Sequence, residues 1–432
     1  MRRFSVFLIQ ACVCLLGSNI ALTQAAQGSN ARTSLSSALI SSANGAGSAA
    51  GAALSMSDLR AKLTAARTLL QSEQAGSSAK VVSLAVLDSS TSEIDSVSLN
   101  KDSFLTKGAD LAIKSQRGDS LRLKIVRPNG VNTAVRVTNV NTGQSLLPLM
   151  VRYPIERNGA STETAFYVSA HPELISSEVI AAGRDYLTTM LNQAAASLAE
   201  NSVSISPDLV TVAEHLVVVE HTDHRRFLNE DRGAIYPDIL SLYALNQGDT
   251  FRYSVSSAGA GGMIQMIPQT YEGIRQHHQS VDLEPDFVKG MQDHANALKA
   301  MLLYINDTWN YLQKNQEIQD ALRSGSATKA ELLAAGYNSN PMRLPQYLKN
   351  GGSGWRTLIP AETQMYLAIY SSVDSNVDFA TPPTTIPGAT NTPVGGSFDT
   401  STTIVKSTSA AVMSWIGRQL VIDSAALTHL LL

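Results

Sequence analysis

Leu121-Arg122-Leu123-Lys124-Ile125 alternates apolar and charged residues, Pro128-Asn129-Gly130 interrupts it, and Val135-Arg136-Val137-Thr138-Asn139-Val140 alternates again. A period of two on either side of a turn signal is the pattern of antiparallel strands with one dry and one wet face. The texture holds from Lys80 to about Ser169, so residues 80–170 are expected to form a β-rich, sandwich-like domain. After Pro172 the period changes. Ser176 and Glu178 open a helical stretch through Tyr186, Leu187, Met190 and Leu191. Ser206-Pro207-Asp208 then combines a cap residue, a first-turn proline and an acid at the positive end of the helix dipole. The helix starting there carries Val212, Leu216, Val217 and Val219 and delivers Glu220 at its end. More helices are expected across Asp286 to Leu312, Lys329 to Ala335 and Glu362 to Ser371. The fold class is therefore α+β, with residues 171–372 as a mainly α-helical domain behind the β-rich one.

Outward from this pair of regions, residues 57–79 predict a short helix capped by Ser57, with Leu59, Leu63, Ala66 and Leu70 on one side. Residues 26–56, mostly Ser, Ala, Gly and Asn, lack any apolar period and read as a flexible tether. Residues 1–25 run from Arg2-Arg3 through an apolar stretch to small residues, the order of a secretory signal peptide, so the mature chain is expected to start near Ala26. Cys12 and Cys14, the two cysteines, fall within that stretch, and cleavage leaves no disulfide. Acylation of Cys12 as a lipoprotein is the alternative, which the short apolar run before it disfavours. At the other end, residues 373–409 are a Pro/Thr/Ser/Gly-rich linker and 410–432 an apolar tail, interrupted by Arg418, Asp423 and His429 and so a poor membrane span. With 33 Lys and Arg against 36 Asp and Glu, and no basic block, nothing suggests a nucleic-acid partner.

Three pieces hold the chemistry. Val217-Val218-Val219-Glu220 ends a helix with an acid; Ser256-Ser257-Ala258-Gly259-Ala260-Gly261-Gly262-Met263-Ile264-Gln265-Met266-Ile267-Pro268-Gln269-Thr270 is a small-residue turn entering an apolar segment; Ala335-Gly336-Tyr337-Asn338-Ser339-Asn340 sets a tyrosine and an asparagine in a polar turn. Glycines 259, 261 and 262 allow backbone to approach either a ligand or another helix, and Gln265 offers an amide donor and acceptor. A side chain can act as a general acid only if it still carries a proton. A carboxyl keeps one at neutral pH only where burial raises its pKa, and both the preceding valines and the negative end of the helix act on Glu220 in that sense.

In this order the pieces resemble the lytic transglycosylases with a lysozyme-like catalytic domain of the soluble-lytic-transglycosylase type, in which a glutamate precedes S-x-x-G-A-x-G-x-x-Q-x-x-P-x-T and then A-Y-N-A-G. Pro360-Ala361-Glu362-Thr363-Gln364-Met365-Tyr366 is similar to the family's later P-x-E-T-x-x-Y segment. The resemblance covers about 150 of the 432 residues, with the β-rich part outside it. It implies a lysozyme-like helical fold, peptidoglycan glycan strands as substrate, a periplasmic or cell-envelope location, envelope or secretion machinery as partners, and no cofactor or metal. It implies Glu220 as acid and then base, cleaving the MurNAc–GlcNAc bond to leave a 1,6-anhydro-MurNAc end. By the same resemblance Ser256 and Gln265 contact substrate, Met263 floors a sugar subsite, Tyr337 lies beside the acid with Asn338 in its turn, and Glu362 is an acid in or behind the cleft.

The chain departs from the family in having His221 where serine usually follows the glutamate, and 35 residues between Glu220 and Ser256. The apolar segment from Phe227 to Val255 is expected to pack as a helix or hairpin that narrows or caps the cleft. Glu230, Asp231 and Asp238 are candidates for a second carboxylate, which would make the enzyme a hydrolase. Two rival classes stay open: a zinc-dependent envelope peptidase built on His215, His221, His224, Asp223 and Glu220, and a non-catalytic peptidoglycan-binding protein.

Overall fold

The computed structural model describes residues 54–73, 79–157 and 160–379. The expected signal peptide, the expected tether up to residue 53, the expected linker from 380 and the tail at 410–432 lie outside the described residues. Among the described residues no helix is long and apolar enough to cross a membrane.

Helix α1, Met56–Ser72, is capped by Ser55 rather than the expected Ser57: the Ser55 hydroxyl oxygen accepts from the Asp58 N–H. It buries Leu59, Leu63, Ala66 and Leu70, the four residues its spacing singled out. Strands β1 (Val81–Asp88) and β2 (Glu93–Asn100) form a hairpin, followed by α2 (Lys101–Phe104), β3 (Asp110–Lys114), β4 (Ser120–Arg127), β5 (Ala134–Asn139), β6 (Ser145–Arg157) and β7 (Ala160–Tyr167). All pairings are antiparallel, in the order β2-β1-β6-β5-β4-β3, with β7 also on β6. The seven strands are one curled sheet, a half-barrel, where the sequence pattern suggested two facing sheets of a sandwich.

The long strand β6 makes this possible by changing partners along its length: Ser145 and Leu146 pair with β5, Leu147 to Arg152 with β1, and Val151 onward with β7. One face of the curl closes on itself, so Val82, Leu84 and Val86 of β1 meet Leu121, Leu123 and Ile125 of β4. The other face of β1, with Ala85 and Leu87, packs under Leu59, Leu63, Ala66 and Leu70 of α1. Covered on both sides, β1 is buried along almost its whole length, whereas β4 alternates buried and exposed.

The helical part comprises α3 (Ser177–Glu200), α4 (Pro207–Val219), α5 (His224–Asn229), α6 (Arg232–Asn246), α7 (Pro268–His277), α8 (Phe287–Gln292), α9 (His294–Leu312), α10 (Gln316–Ser324), α11 (Lys329–Asn338), α12 (Leu344–Gly351) and α13 (Ala361–Asn376), so the helix expected to end by 372 continues into the expected linker. The helical run expected across Asp286 to Leu312 is divided at Asp293, whose carboxylate accepts from Ala295 and Asn296 N–H and starts α9 afresh. Packing also runs across the boundary near residue 170: Leu242 of α6 joins the inner cluster of the sheet, and Val179 of α3 and Ala244 of α6 join the cluster under α1.

The segment from Phe227 to Val255 packs as helix, as expected, but α6 within it is part of the core rather than a cap. Ile235, Tyr236, Leu240 and Tyr243 of α6 are buried, and α3 and α6 touch so closely that a Cβ on Gly183 would stand 2.0 Å from the Leu240 carbonyl oxygen. A helix clamped at backbone distance against its neighbour has no freedom to act as a lid.

Candidate active site

Leu209, Val210, Val212, Ala213, Leu216, Val217, Val218 and Val219 are core residues, which leaves α4 buried on nearly every side among α3, α6, α9, α11 and α13. It begins at Pro207, as the sequence signal requires, and ends on Glu220, its half-buried C-cap. Tyr366 of α13 donates its hydroxyl to Glu220 Oε1 at 2.6 Å. Glu362, exposed in the first turn of α13, lies four residues before Tyr366 and so on the same side of that helix. Burial pushes the Glu220 carboxyl up, the Tyr366 hydrogen bond pulls it back, the negative charge of Glu362 adds to the rise, and the result is about 8. Glu220 therefore holds its proton at neutral pH, the state in which a general acid is loaded.

His221, directly after Glu220, has a structural role. Its Nε2–H donates to the Met263 carbonyl at 3.0 Å, and its ring lies flat on Phe251 with centroids 3.4 Å apart. Burial holds this imidazole neutral, down to about 3. The end of α4 is thereby fastened to the 256–270 segment, which is folded on itself by bridges from Gly261 to Val255 and to Met266.

Within that segment the side chains mostly serve the loop. Ser256 Oγ accepts from the Ala260 N–H at 3.0 Å. Gln265 adopts a positive φ of 44°, and its Nε2 donates to the Gly262 carbonyl at 2.8 Å and to Ser254 Oγ at 3.3 Å. Met263 is fully buried, so it supports the loop from beneath and presents no surface to a sugar. Of the two uses open to the glycines, close helix packing is the one seen: Gly262 has φ +68°, and a Cβ there would stand 2.2 Å from the Met291 carbonyl oxygen of α8.

Tyr337, expected beside the acid, donates its hydroxyl to the Ile264 carbonyl at 2.8 Å and ties α11 to the same loop. Burial raises its phenol well above the usual range and the charge of Glu220 adds to the rise, so Tyr337 is near Glu220 without bonding to it. Asn338 follows in the last turn of α11, half-buried. The structure thus gathers Glu220, Tyr337, Glu362 and the Ser254–Met266 loop around one helix end. It adds Tyr366 as the phenol on the acid, a residue that sequence reasoning quoted within Pro360–Tyr366 but did not assign.

The proposed second carboxylates are engaged elsewhere. Arg226 holds Glu230 at 2.6 Å and Asp238 at 2.7 Å, while Asp231 caps α6 by accepting from the Gly233 N–H. The histidines of the zinc reading are also dispersed: His215 Nδ1 bonds the Thr211 carbonyl and its Nε2 faces Asp374, His221 serves Met263, and His224 is exposed at the start of α5. A cavity of about 950 Å³ is lined by Arg60, Arg67, Tyr186, Arg252, Lys289 and His294 among others, and its walls include none of the residues around Glu220. Comparison of the chain with protein-family models, with curated proteins and with solved structures gave no match.

Proposed function

We propose that this protein is a peptidoglycan lytic transglycosylase of the cell envelope, with a lysozyme-like helical region and Glu220 as its catalytic group. The observation that carries this reading is the Glu220 carboxyl, protonated at neutral pH on a buried helix end and in contact with one phenol. In the proposed reaction Glu220 gives its proton to the oxygen between MurNAc and GlcNAc as the C1–O bond breaks. The resulting carboxylate, stabilised by the Tyr366 hydroxyl, then takes the proton of the sugar's own C6 hydroxyl as that oxygen closes on C1. No water is consumed, and Glu220 ends protonated as it began. The order of the three sequence segments around this acid supports the choice of substrate.

A lysozyme-type hydrolase is the second reading, favoured by one specific observation: the charge of Glu362 acts on Glu220, and an acid paired with a nearby carboxylate is the usual glycosidase arrangement. Digestion of purified sacculi by the protein, followed by mass spectrometry of the released muropeptides, separates the two. Anhydro ends, one water lighter than reducing ends, are expected. Ordinary reducing ends transfer the assignment to the hydrolase, and undigested sacculi with folded protein remove both.

A further inference from the structure

Away from Glu220, three metal-binding side chains converge where α7 ends. His277 is the last residue of α7 and His278 its C-cap, at φ −111° and ψ 55°. Adjacent residues within a helix point about 100° apart; leaving helical geometry at His278 brings the two imidazoles together, with ring centroids 4.6 Å apart. Both face Asp307 of α9: Nε2 of His278 lies 2.8 Å from Asp307 Oδ2 and Nε2 of His277 lies 4.0 Å from the same atom. One ligand atom from each residue falls within 4.8 Å of the others. Among the described residues this is the one such trio of His, Cys, Asp or Glu.

We propose that His277, His278 and Asp307 bind a first-row divalent transition metal, for which Zn²⁺ is the test ion. The argument rests on donor chemistry and spacing. Ligands about 2.0–2.2 Å from such an ion lie roughly 3–4 Å from one another, and the separations of 2.8 and 4.0 Å from Asp307 Oδ2 bracket that range. Two imidazoles and a carboxylate suit zinc and its neighbours rather than calcium or magnesium, which favour all-oxygen sites. Asp307 is nearly buried, and among the described residues its close basic neighbours are these two histidines, which carry charge only when protonated, with no Lys or Arg paired to it. A divalent cation would supply the positive charge that a buried carboxylate otherwise lacks.

Binding asks little rearrangement. His278 now directs Nε2 at Asp307; for that nitrogen to present its lone pair to the ion, the ring proton must sit on Nδ1. His277, the most accessible of the three with 24% of its side chain exposed, gives the ion a route in. Three protein ligands leave at least one position for water or a small anionic ligand. The ion would join the end of α7, which continues from the Ser256–Thr270 segment, to α9 beneath it.

The test uses the full chain, purified without a polyhistidine tag and stripped by chelator. Titration with ZnCl₂ against a chromophoric competitor is expected to give one equivalent bound, and saturation near 100 times Kd raises Tm by roughly 5 °C. MgCl₂ and CaCl₂ leave Tm unchanged. His277→Ala keeps the His278–Asp307 contact, and with it the local fold, but removes one ligand; its zinc affinity is expected to fall at least about tenfold, and Asp307→Asn gives an independent loss. His224→Ala, on an exposed residue elsewhere, binds as wild type. Substoichiometric zinc in the folded wild-type protein, or undiminished affinity in both His277→Ala and Asp307→Asn, overturns the proposal. Neither result bears on glycan cleavage, since none of the three residues belongs to the Glu220 site.

Discussion

Helix α4 carries two carboxyls six residues apart, and burial drives both in the same direction, yet they are set up for different fates. Glu214 is wholly buried; Thr188 donates to its Oε1 at 2.6 Å, its Oε2 has no partner, and desolvation lifts it to about 7. Glu220 stands at the helix end, half-buried, with a phenol on one oxygen and the field of Glu362 upon it. Both hold their protons to higher pH than ordinary carboxyls do. Only the second keeps part of its surface in contact with solvent, so a raised pKa marks desolvation, and exposure separates a group that can exchange its proton from one that is only a cost to stability.

The largest expected effect tests that division directly. Glu220→Gln retains shape and hydrogen bonding but cannot supply a proton, so cleavage of sacculi should fall by at least about 100-fold, a general-acid contribution, with circular dichroism unchanged. Glu214→Gln should leave cleavage within about threefold of wild type, well below such a contribution. If Glu214→Gln abolishes activity in a folded protein, the comparison is wrong and the buried acid is the functional one.

The second effect is thermodynamic, and here the two glutamates should behave alike. Each binds its proton more tightly folded, near 7 and near 8, than unfolded, near 4.5. The stabilisation is therefore complete below about 4.5 and is lost as pH rises to the folded values, at no more than about 1.4 kcal/mol per pH unit for each group. His221 acts oppositely: its folded value of about 3 against 6.5 unfolded means that stability is gained as pH rises through that window. Urea unfolding at successive pH values should show a shallower decline between 5 and 7 for Glu214→Gln, and between 5 and 8 for Glu220→Gln. Subtracting wild type cancels the other titrating groups. Unchanged slopes in both variants would mean that neither carboxyl is desolvated as described.

These residues also show where sequence reading reaches its limit. The alternation of β4 was legible because one face of that strand meets solvent; β1, covered on both faces, has no alternation to read. Pro207 announced α4 because start signals are local. The placement of α6 was not: the 35 residues between Glu220 and Ser256 made the segment read as an insertion packed as a helix or hairpin over the cleft, while its burial depends on the close contact with Gly183 of α3. The valines before Glu220 made its burial legible, but its phenol partner is 146 residues away in sequence. The Ser256–Thr270 segment was legible as a small-residue turn entering an apolar stretch. Its division of labour was not, since whether Met263 faces a ligand or the core is decided by α8 and α9 packing behind it.

The smaller effects concern what sets Glu220 apart from Glu214. Tyr366 donates to the carboxylate form and so lowers the Glu220 value; Tyr366→Phe should move it upward, carrying the alkaline limb of the pH–rate profile with it by less than about one unit. A downward move, or none, would show that the 2.6 Å contact does not bear on the proton. Carbon NMR of labelled glutamate gives the same information without relying on turnover.

Glu362 should give the smallest shift and the opposite sign. Its negative charge disfavours ionisation of Glu220, so Glu362→Gln should lower the Glu220 value, and by less than Tyr366→Phe raises it, because the hydrogen bond is the stronger of the two influences. Glu362 is exposed, so the shift should shrink further in 0.5 M salt, where the screening length is only about 4 Å. A hydrogen-bond effect has no such salt dependence, which separates the two causes within one experiment. If Glu362→Gln instead abolishes cleavage at every pH while the protein stays folded, Glu362 is not a background charge. It is then the second carboxylate of a hydrolase, and the single-acid mechanism at Glu220 fails with it.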